Sequence, residues 1–371
     1  MSSTPTLTLR QINRATLARQ MLLARERLDP LKAIERLVAL QAQLARPPFI
    51  GLWSRLEGFE REALTRLFET RKVVRATFNR ATIHVVTAKD YLSLRPAVQP
   101  GLDYAARSIL RERLDALDVG ALLKQARALF SRRPLTFEEL RDAFLEKDPK
   151  ADERAMGYCV RLKLPLVQVP EKGAAWAFPA QASFALADEW LGKTVPTTAA
   201  PPDALILRYL AAYGPASAAD IVAWAGISRE SVREALARLQ PSLVTFRDEA
   251  KRELFDLPEA PRPPADVPAP VRLIPEYDNL LNTRADERFV AKAHRPRVFL
   301  SALRLAATVL VDGFVAGTWK LTATKRTATI AIDPFAPFPA RVRKEVAAEA
   351  EALARFAEPE ARNVEVRMPS A

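Results

Sequence analysis

The feature that most constrains this chain is a pattern of helices followed by a strand pair, which is clearest in the last of three copies. A helix over Ala204–Tyr213 is followed by ASAADIVAWAG, a turn at Gly226, and RESVREALARL. Glycine suits the tight turn, and Ser228 suits the cap of the second helix. LVTFRDEAKRELFDLP then alternates like a hairpin. The pattern predicts a helix-turn-helix with a β wing, whose recognition helix presents Arg229 and Arg233 to DNA.

The same order occurs twice earlier in the chain. The first copy has two helical runs, a short helix, another helix from Glu60 to Thr70, and the strands VVRATF and TIHVVT. The second has a helix over Gly120–Phe130, the segment PLTFEELRDAFL capped by Thr136, a helix through DERAMGYCVRLKL, and the strands LVQVP and AAWAFP. A repeat of roughly 75 to 100 residues predicts three tandem winged-helix units rather than a solenoid of short repeats.

The C-terminal region differs in kind. Residues 258–270 are proline-rich and lack periodicity, which indicates a stiff connector. The segments VRLIPEYDNLL, RPRVFLS, AATVLVDGFVAGTWKLT and TATIAIDPF alternate like strands, with Asp312-Gly313 as a hairpin turn. A helix over Ala340–Phe356 and a strand NVEVRM follow.

The predicted fold class is therefore α+β, with tandem winged-helix units and a β-rich C-terminal region. We expect four parts, which are residues 1–115, 116–197, 198–262 and 263–371.

Composition removes several kinds of site. Two histidines and one cysteine, Cys159, argue against a His/Cys zinc site, and neither G-x-x-x-x-G-K-[ST] nor G-x-G-x-x-G occurs. No G-x-S-x-G elbow marks a Ser-His-Asp arrangement, although one sequence leaves that arrangement open. No apolar run approaches the ~18 residues of a membrane span. The formal net charge of +12 favours a polyanionic partner over a merely basic surface, and the single cysteine fits a reducing cytoplasm.

The segment ALQAQLARPP (39–48) places two glutamines at the predicted end of a helix over Pro30–Leu40, where a proline pair would stop it. On the residues alone, two such glutamines are more typical of a solvent-exposed helix end than of a site. The arginines of the ribbon are equally compatible with phosphate contacts or with water, and PEYDNLL with an ordinary turn.

The joint presence of Q-x-Q, R-x-T-x-H and P-E-[YF]-D-N changes that balance. The order ARQMLLAR, LVALQAQ, GLWSRLEGF, VVRATFNRATIHVVTAKDY, RLIPEYDNLL and VLVDGFVAGTW resembles the bacterial winged-helix DNA glycosylases of the AlkZ type, from about Leu9 to about Pro334. The resemblance implies tandem winged helices in a C-shaped, DNA-embracing arrangement. It also implies excision of N-alkylated purines and, as in some members, unhooking of interstrand crosslinks.

The resemblance implies a catalytic pair at Gln41 and Gln43, since family members have a glutamine followed two residues later by glutamine or an acidic residue. The predicted DNA contacts in the ribbon are Arg75, Arg80, Thr82 and His84, and the predicted cleft-lining residues are Asp278, Asn279 and Arg284. The expected partner is double-stranded DNA with alkylated or crosslinked bases. No metal, nucleotide cofactor or membrane is expected, and the protein is expected to be a nucleoid-associated bacterial monomer.

Two positions depart from the family pattern. Ala81 follows Arg80 where relatives usually have glycine, and Asn282-Thr283-Arg284 stands where a Ser-His pair is common. These departures leave a second interpretation open, a non-catalytic winged-helix DNA-binding protein or transcriptional regulator. A protein-interaction module is a third, which the basic charge disfavours.

A glutamine pair is chemically unusual for hydrolysis, because an amide has no accessible pKa and cannot act as a general base. A purine alkylated at N7 or N3 is cationic, so it leaves as a neutral base without protonation while the sugar gains oxocarbenium character. The hypothesis is therefore that the two amides hold a water at the anomeric carbon.

Overall fold

The computed structural model describes residues 4–281, 286–301 and 303–369, which form a mixed α+β structure. The helices are α1 (Leu9–Arg19), α2 (Pro30–Leu37), α3 (Pro47–Trp53), α4 (Arg61–Glu69), α5 (Ala88–Leu110), α6 (Glu112–Asp115), α7 (Val119–Phe130), α8 (Phe137–Lys147), α9 (Glu153–Lys163), α10 (Ala187–Leu191), α11 (Asp203–Tyr213), α12 (Ala218–Ala225), α13 (Arg229–Leu239), α14 (Arg295–Val298) and α15 (Ala340–Ala357). The strands are β1 (Thr6–Leu7), β2 (Leu40–Gln41), β3 (Val73–Thr77), β4 (Ile83–Thr87), β5 (Leu166–Gln168), β6 (Phe184–Leu186), β7 (Val244–Asp248), β8 (Glu253–Asp256), β9 (Arg272–Ile274), β10 (Thr308–Val311), β11 (Phe314–Ala323), β12 (Thr327–Pro334) and β13 (Asn363–Arg367).

The central sheet has the strand order β2-β4-β3-β5-β6 and carries the Gln-x-Gln segment at one edge. Strand β3 is buried along its whole length, as expected of a strand covered on both faces. Strands β5 and β6 continue the sheet beyond the β3–β4 ribbon, so residues from 116–197 and from 1–115 share one sheet. One face of this sheet packs on α11, α12 and α13 through a common apolar core that includes Ala76, Tyr209 and Trp224.

The predicted helix pair and hairpin around Gly226 are confirmed as secondary structure. Ser217 caps α12 with a capping box, and Ser228 caps α13 by accepting from the Ser231 amide. Gly226 ends α12 in the left-handed conformation, with φ of +68°. Strands β7 and β8 form the antiparallel hairpin that follows. Local capping and turn signals were sufficient to predict this region.

The predicted end of the second helix was wrong. Helix α2 ends at Leu37 because Val38 takes a φ of +67°, which turns the chain out of the helix. Leu40 and Gln41 then pair with β4, so Gln41 lies in a strand. The proline pair does not stop a helix but begins α3, where a missing N–H costs nothing.

Two predicted strands and one long helix also needed correction. AAWAFP is not a strand, because its apolar residues turn inward to a core shared with Phe68, and β6 pairs with β5 in its place. RPRVFLS contains the short helix α14, which starts with Pro296 in its first turn. Helix α5 was not predicted, since Pro96 and Pro100 lie inside it.

The C-terminal sheet has the order β13-β12-β11-β10-β9 and is covered by α15, which confirms a β-rich region with a late helix. Asp312 and Gly313 have φ of +48° and +80°, as the predicted two-residue hairpin turn requires. None of the helices in the described ranges combines the length and apolarity that a membrane crossing needs.

Candidate active site

The Gln-x-Gln segment is held against the β3–β4 ribbon by the backbone. Gln41 lies opposite His84 across the strands, and the Ala42 amide donates to the Ile83 carbonyl at 2.7 Å. Gln41 is buried, whereas Gln43 is exposed. The two side chains therefore lie at the boundary between the core and solvent, with Gln41 on the core side and Gln43 on the solvent side.

Both amide oxygens are oriented by groups that can only donate. Arg80 Nη2 donates to Gln41 Oε1 at 2.9 Å, and the Ile83 backbone N–H donates to Gln43 Oε1 at 3.0 Å. A guanidinium and a backbone N–H have no acceptor, so the atom facing each of them must be the amide oxygen. A carbonyl oxygen has two lone pairs, so an amide oxygen can accept more than one hydrogen bond.

Arg80 connects the glutamine segment to two other parts of the chain. Besides Gln41, it donates through Nη1 to the Trp224 carbonyl at 2.6 Å and through Nη2 to Asn279 Oδ1 at 3.4 Å. Its backbone is left-handed, with φ of +53°. Burial lowers the pKa of Arg80 to about 10, so the guanidinium remains charged at neutral pH. The charge polarises the Gln41 carbonyl from inside the protein.

Arg75 is buried beneath the same segment. Its Nε and Nη2 donate to the Ala42 carbonyl at 3.1 and 2.8 Å, and its guanidinium lies over the Phe178 ring. Burial lowers the pKa of Arg75 to about 10. The side chain therefore supports the backbone between the two glutamines.

His84 and Thr82 lie on the ribbon but face the protein. His84 is fully buried against the Phe78 ring, and its Nδ1 lies 3.1 Å from the Thr82 carbonyl. Burial, and after it the charge of Arg80, lowers the pKa of His84 to about 3, so the ring is neutral at physiological pH. Thr82 donates from Oγ1 to the Asn79 carbonyl at 3.0 Å.

Asp278 and Asn279 are neighbours with different contacts. Asn279 reaches Arg80 and donates to the Ala39 carbonyl at 2.8 Å, which brings it to the glutamine segment. Asp278 instead accepts two hydrogen bonds from Arg55, at 2.8 and 2.9 Å, with both side chains buried. The ion pair anchors the PEYDNLL segment to the end of α3 and so places Asn279.

Two predicted residues, Arg229 and Arg233, are not brought to the glutamine pair. Arg229 and Arg233 are exposed on the first turns of α13, where Arg233 pairs with Glu230. Arg284 lies outside the described residues. No group of three or more His, Cys, Asp or Glu side chains within the described ranges could hold a metal ion.

Comparison with known families shows to which family the chain belongs. The family described as "DNA glycosylase AlkZ-like" matches residues 34–356, which include the glutamine pair and the PEYDN segment. The chain belongs to the AlkZ-like DNA glycosylase family. Members of such a family are hydrolases of N-glycosyl bonds, so DNA is the substrate polymer and the suspected resemblance is confirmed.

A solved structure shares the fold of this AlkZ-like chain. The Streptomyces sahachiroi DNA glycosylase AlkZ is 21% identical and superimposes with a TM-score of 0.78, covering 98% of this chain and 100% of that one. At this identity the similarity shows a common fold. Comparison with curated protein sequences finds no match.

Sequence reasoning missed three contributors to the site of this AlkZ-like chain. Nothing in the sequence predicted a role for Arg55 apart from its place in the segment GLWSRLEGF. Trp224 contributes through its carbonyl, which no side-chain pattern marks. Arg46 pairs with Glu276 at 3.4 Å and makes a second link between the glutamine segment and PEYDN. Charged residues in the segments ALQAQLARPP and PEYDNLL could have suggested an ion pair between them. The sequence does not show which residues form it.

Proposed function

We propose that this AlkZ-like glycosylase hydrolyses the N-glycosidic bond of N-alkylated, cationic purines in double-stranded DNA, including bases in interstrand crosslinks, and that it acts as a monomer at the nucleoid. The observation that carries the proposal is the fixed orientation of two neutral amides, whose oxygens are held by Arg80 and by the Ile83 amide. Because neutral amides cannot transfer protons, the glutamine pair can assist only a bond cleavage in which these two side chains neither give nor take a proton.

A cationic purine meets that limit. Alkylation at N7 or N3 places a positive charge on the base, so the C1′–N9 electron pair neutralises the ring as the bond breaks and no acid is needed. An uncharged purine would require protonation, which neither Gln41 nor Gln43 can supply. The site therefore favours leaving groups that are already activated.

The two amide oxygens are suited to holding the attacking water. Each accepts one hydrogen from the water while its dipole points to the positive charge that develops on the sugar. The water oxygen bonds to C1′, the base leaves with the bond's electron pair, and the proton of the attached water passes to solvent. Arg80 strengthens this arrangement by fixing Gln41, and Arg75 by fixing the Ala42 backbone.

We assign DNA binding to residues other than Arg75 and Arg80 of the β3–β4 ribbon. We propose that the helix, turn and hairpin elements form tandem winged-helix units in a C-shaped arrangement around the duplex, as the resemblance implies. Arg229 and Arg233 contact phosphate from the exposed start of α13. Arg75 and His84 are buried, and the partly exposed Arg80 donates to the Trp224 carbonyl and to Gln41. These contacts favour positioning roles over the phosphate contacts that the sequence suggested.

The decisive experiment is excision of N7-methylguanine from a duplex by wild type and by Gln41→Ala and Gln43→Ala variants, measured as abasic sites under single turnover. We expect excision by wild type, a loss of at least 100-fold in each variant, on the order of one lost transition-state interaction, and no excision of uncharged hypoxanthine. A crosslinked duplex tests unhooking separately. Equal inertness of all three proteins, with sequence-selective DNA binding, would instead establish the non-catalytic regulator.

A further inference from the structure

A groove of about 660 Å³ lies between α5 and the turn that joins α12 to α13. Tyr104 and Ile109 line it from α5, and Ser228 and Arg229 line it from the start of α13. Arg80 also borders the groove, so the cavity reaches the residue that orients Gln41. Neither Tyr104 nor Ile109 belongs to the motifs that carry the family resemblance.

The α5 wall presents apolar side chains to solvent. Tyr104 is 74% exposed and Ile109 is 48% exposed, although most large apolar residues of the chain are buried. Two such residues on successive turns of one helix, both facing a concave surface, indicate a surface that is covered during function. An exposed tyrosine ring is also a platform on which any nucleobase can stack.

The charge of the groove selects the class of ligand. Among the described residues, the ionisable side chains that line it, apart from the tyrosine, are Arg80 and Arg229, and none is acidic. Helix α13 has eleven residues and begins at Arg229, with the Ser231 amide donating to the Ser228 cap. A helix start next to an arginine favours a phosphate group. Aromatic and anion-binding groups within one groove match a nucleotide.

The base of the groove is rigid. A side chain on Gly101 would overlap the Gly226 carbonyl, so α5 and the α12–α13 turn are in backbone contact there. Gly226 in turn touches the Arg80 backbone, since a Cβ at this glycine would lie 3.1 Å from Arg80 Cα and N. The groove is thus fixed relative to Gln41 before any ligand binds.

We propose that this groove binds an unstacked, undamaged nucleotide of the DNA substrate, with its neutral base on Tyr104 and its phosphate at Arg229 and the start of α13. The inference rests on the proposed function and extends it. The alkylated base is assigned to the glutamine pair, which this groove adjoins through Arg80, so the alkylated base does not also occupy the groove. The occupant is therefore a nucleotide opposite or beside the lesion, displaced from the stack while the lesion occupies the glutamine pair.

The test uses duplexes that carry 2-aminopurine either opposite the lesion or beside it, bound by a Gln41→Ala variant that does not turn them over. The fluorescence of 2-aminopurine depends on the groups stacked on it, so transfer of the base from the duplex to the Tyr104 ring changes its fluorescence. We expect a change on binding at one of these positions and its loss with Tyr104→Leu. With Tyr104→Trp the fluorescence should still differ from that of the free duplex. Tyr104→Leu should also bind DNA about tenfold more weakly, within the range for one stacked base.

A second variant guards against misfolding of the first. Ser108 is exposed on α5 at the groove, so Ser108→Glu adds an anion without disturbing the core and should weaken binding severalfold. Ala348→Glu places the same charge on exposed α15 as a control and should bind normally. Normal binding by both groove variants, or a fluorescence change that Tyr104→Leu leaves intact, would overturn the inference. Because binding is read without excision, failure of the glycosylase proposal would be seen separately.

Discussion

Arg80 Nη2 lies 2.9 Å from Gln41 Oε1, so a partly buried cation determines which way the first glutamine of the motif presents its amide. The same guanidinium donates to the Trp224 carbonyl at the end of α12. A planar group with several donors is required to reach both partners at once. Arg80 therefore links the reacting centre to the helix pair that we assign to DNA binding.

Replacing Arg80 by lysine should reduce the single-turnover rate of excision by about 10- to 100-fold, because a point-like ammonium cannot hold Gln41 and Trp224 together and small displacements of a reacting group are costly. DNA affinity should change little, since lysine keeps the positive charge that borders the groove. Arg233→Ala is the control. It should leave the rate at saturating DNA unchanged and reduce the slope of log affinity against log salt by about one. If Arg80→Lys instead kept the excision rate and weakened DNA affinity, Arg80 would be a phosphate contact.

Gln43→Glu should accelerate excision by about tenfold, equivalent to ~1.4 kcal/mol of transition-state stabilisation. The carboxylate can still accept from the Ile83 amide, and its charge faces the developing oxocarbenium ion. Gln43→Met, of similar length without an acceptor, should lose activity.

The excision rate of wild type should be flat between pH 6.5 and 9, because the pKa values of Arg80 and His84, about 10 and about 3, lie outside that window. An acid limb in wild type would reveal a general base.

Gly226→Ala should destabilise the protein by about 2–3 kcal/mol and slow excision, because its φ of +68° strains an alanine and the new methyl meets the Arg80 backbone. Gly192 is the matched control. It also ends a helix in the left-handed conformation, but a Cβ there meets nothing within 4 Å. Gly192→Ala should cost about 1 kcal/mol, the price of the backbone strain alone. If both variants lost the same free energy of unfolding in urea, the contact with Arg80 would contribute nothing to stability.

The sequence predicted what local signals specify. Caps at Thr136 and Ser228, the turn at Gly226 and the Asp312-Gly313 hairpin are all encoded within a few residues, and all were confirmed. The family and the α+β class followed from motif order. The catalytic and DNA-binding assignments stay predictions.

What the sequence could not predict depends on contacts between distant residues. Strand β2 has two residues and exists only because β4, more than 40 positions along the chain, pairs with it. Arg55 and Asp278 are 223 residues apart. Helix α5 continues through two prolines because its buried face packs on the core, a tertiary gain that overrides local propensity. The inward direction of Arg75 and Arg80 likewise depends on carbonyls from other segments.

His84 should make the protein less stable in mild acid. The pKa of His84 falls to about 3 in the folded state, against 6.5 for an unperturbed histidine. Below pH 6.5 the unfolded chain therefore binds a proton that the folded chain does not. Stability is therefore complete above pH 6.5 and declines as the pH falls toward 3, by about 1 kcal/mol between pH 6.5 and 5.5. Urea unfolding at several pH values measures the slope. His84→Leu, which removes the titrating ring, should flatten it in this window, and an unchanged slope would place the effect elsewhere.

Asp278→Asn should lower the free energy of unfolding by about 3–5 kcal/mol, because it leaves the Arg55 guanidinium buried without its anion. Arg55 and Asp278 share two hydrogen bonds with side-chain exposures of 1% and 3%. The matched control is the Arg27–Glu57 pair, which has the same two-bond geometry at 2.9 Å but lies at the surface. Glu57→Gln should leave the melting temperature unchanged, since exposed pairs contribute little. If Asp278→Asn were as stable as wild type yet inactive, Asp278 would act on the substrate directly. Loss of stability with proportionate loss of activity would instead establish it as the anchor that holds Asn279 beside Arg80.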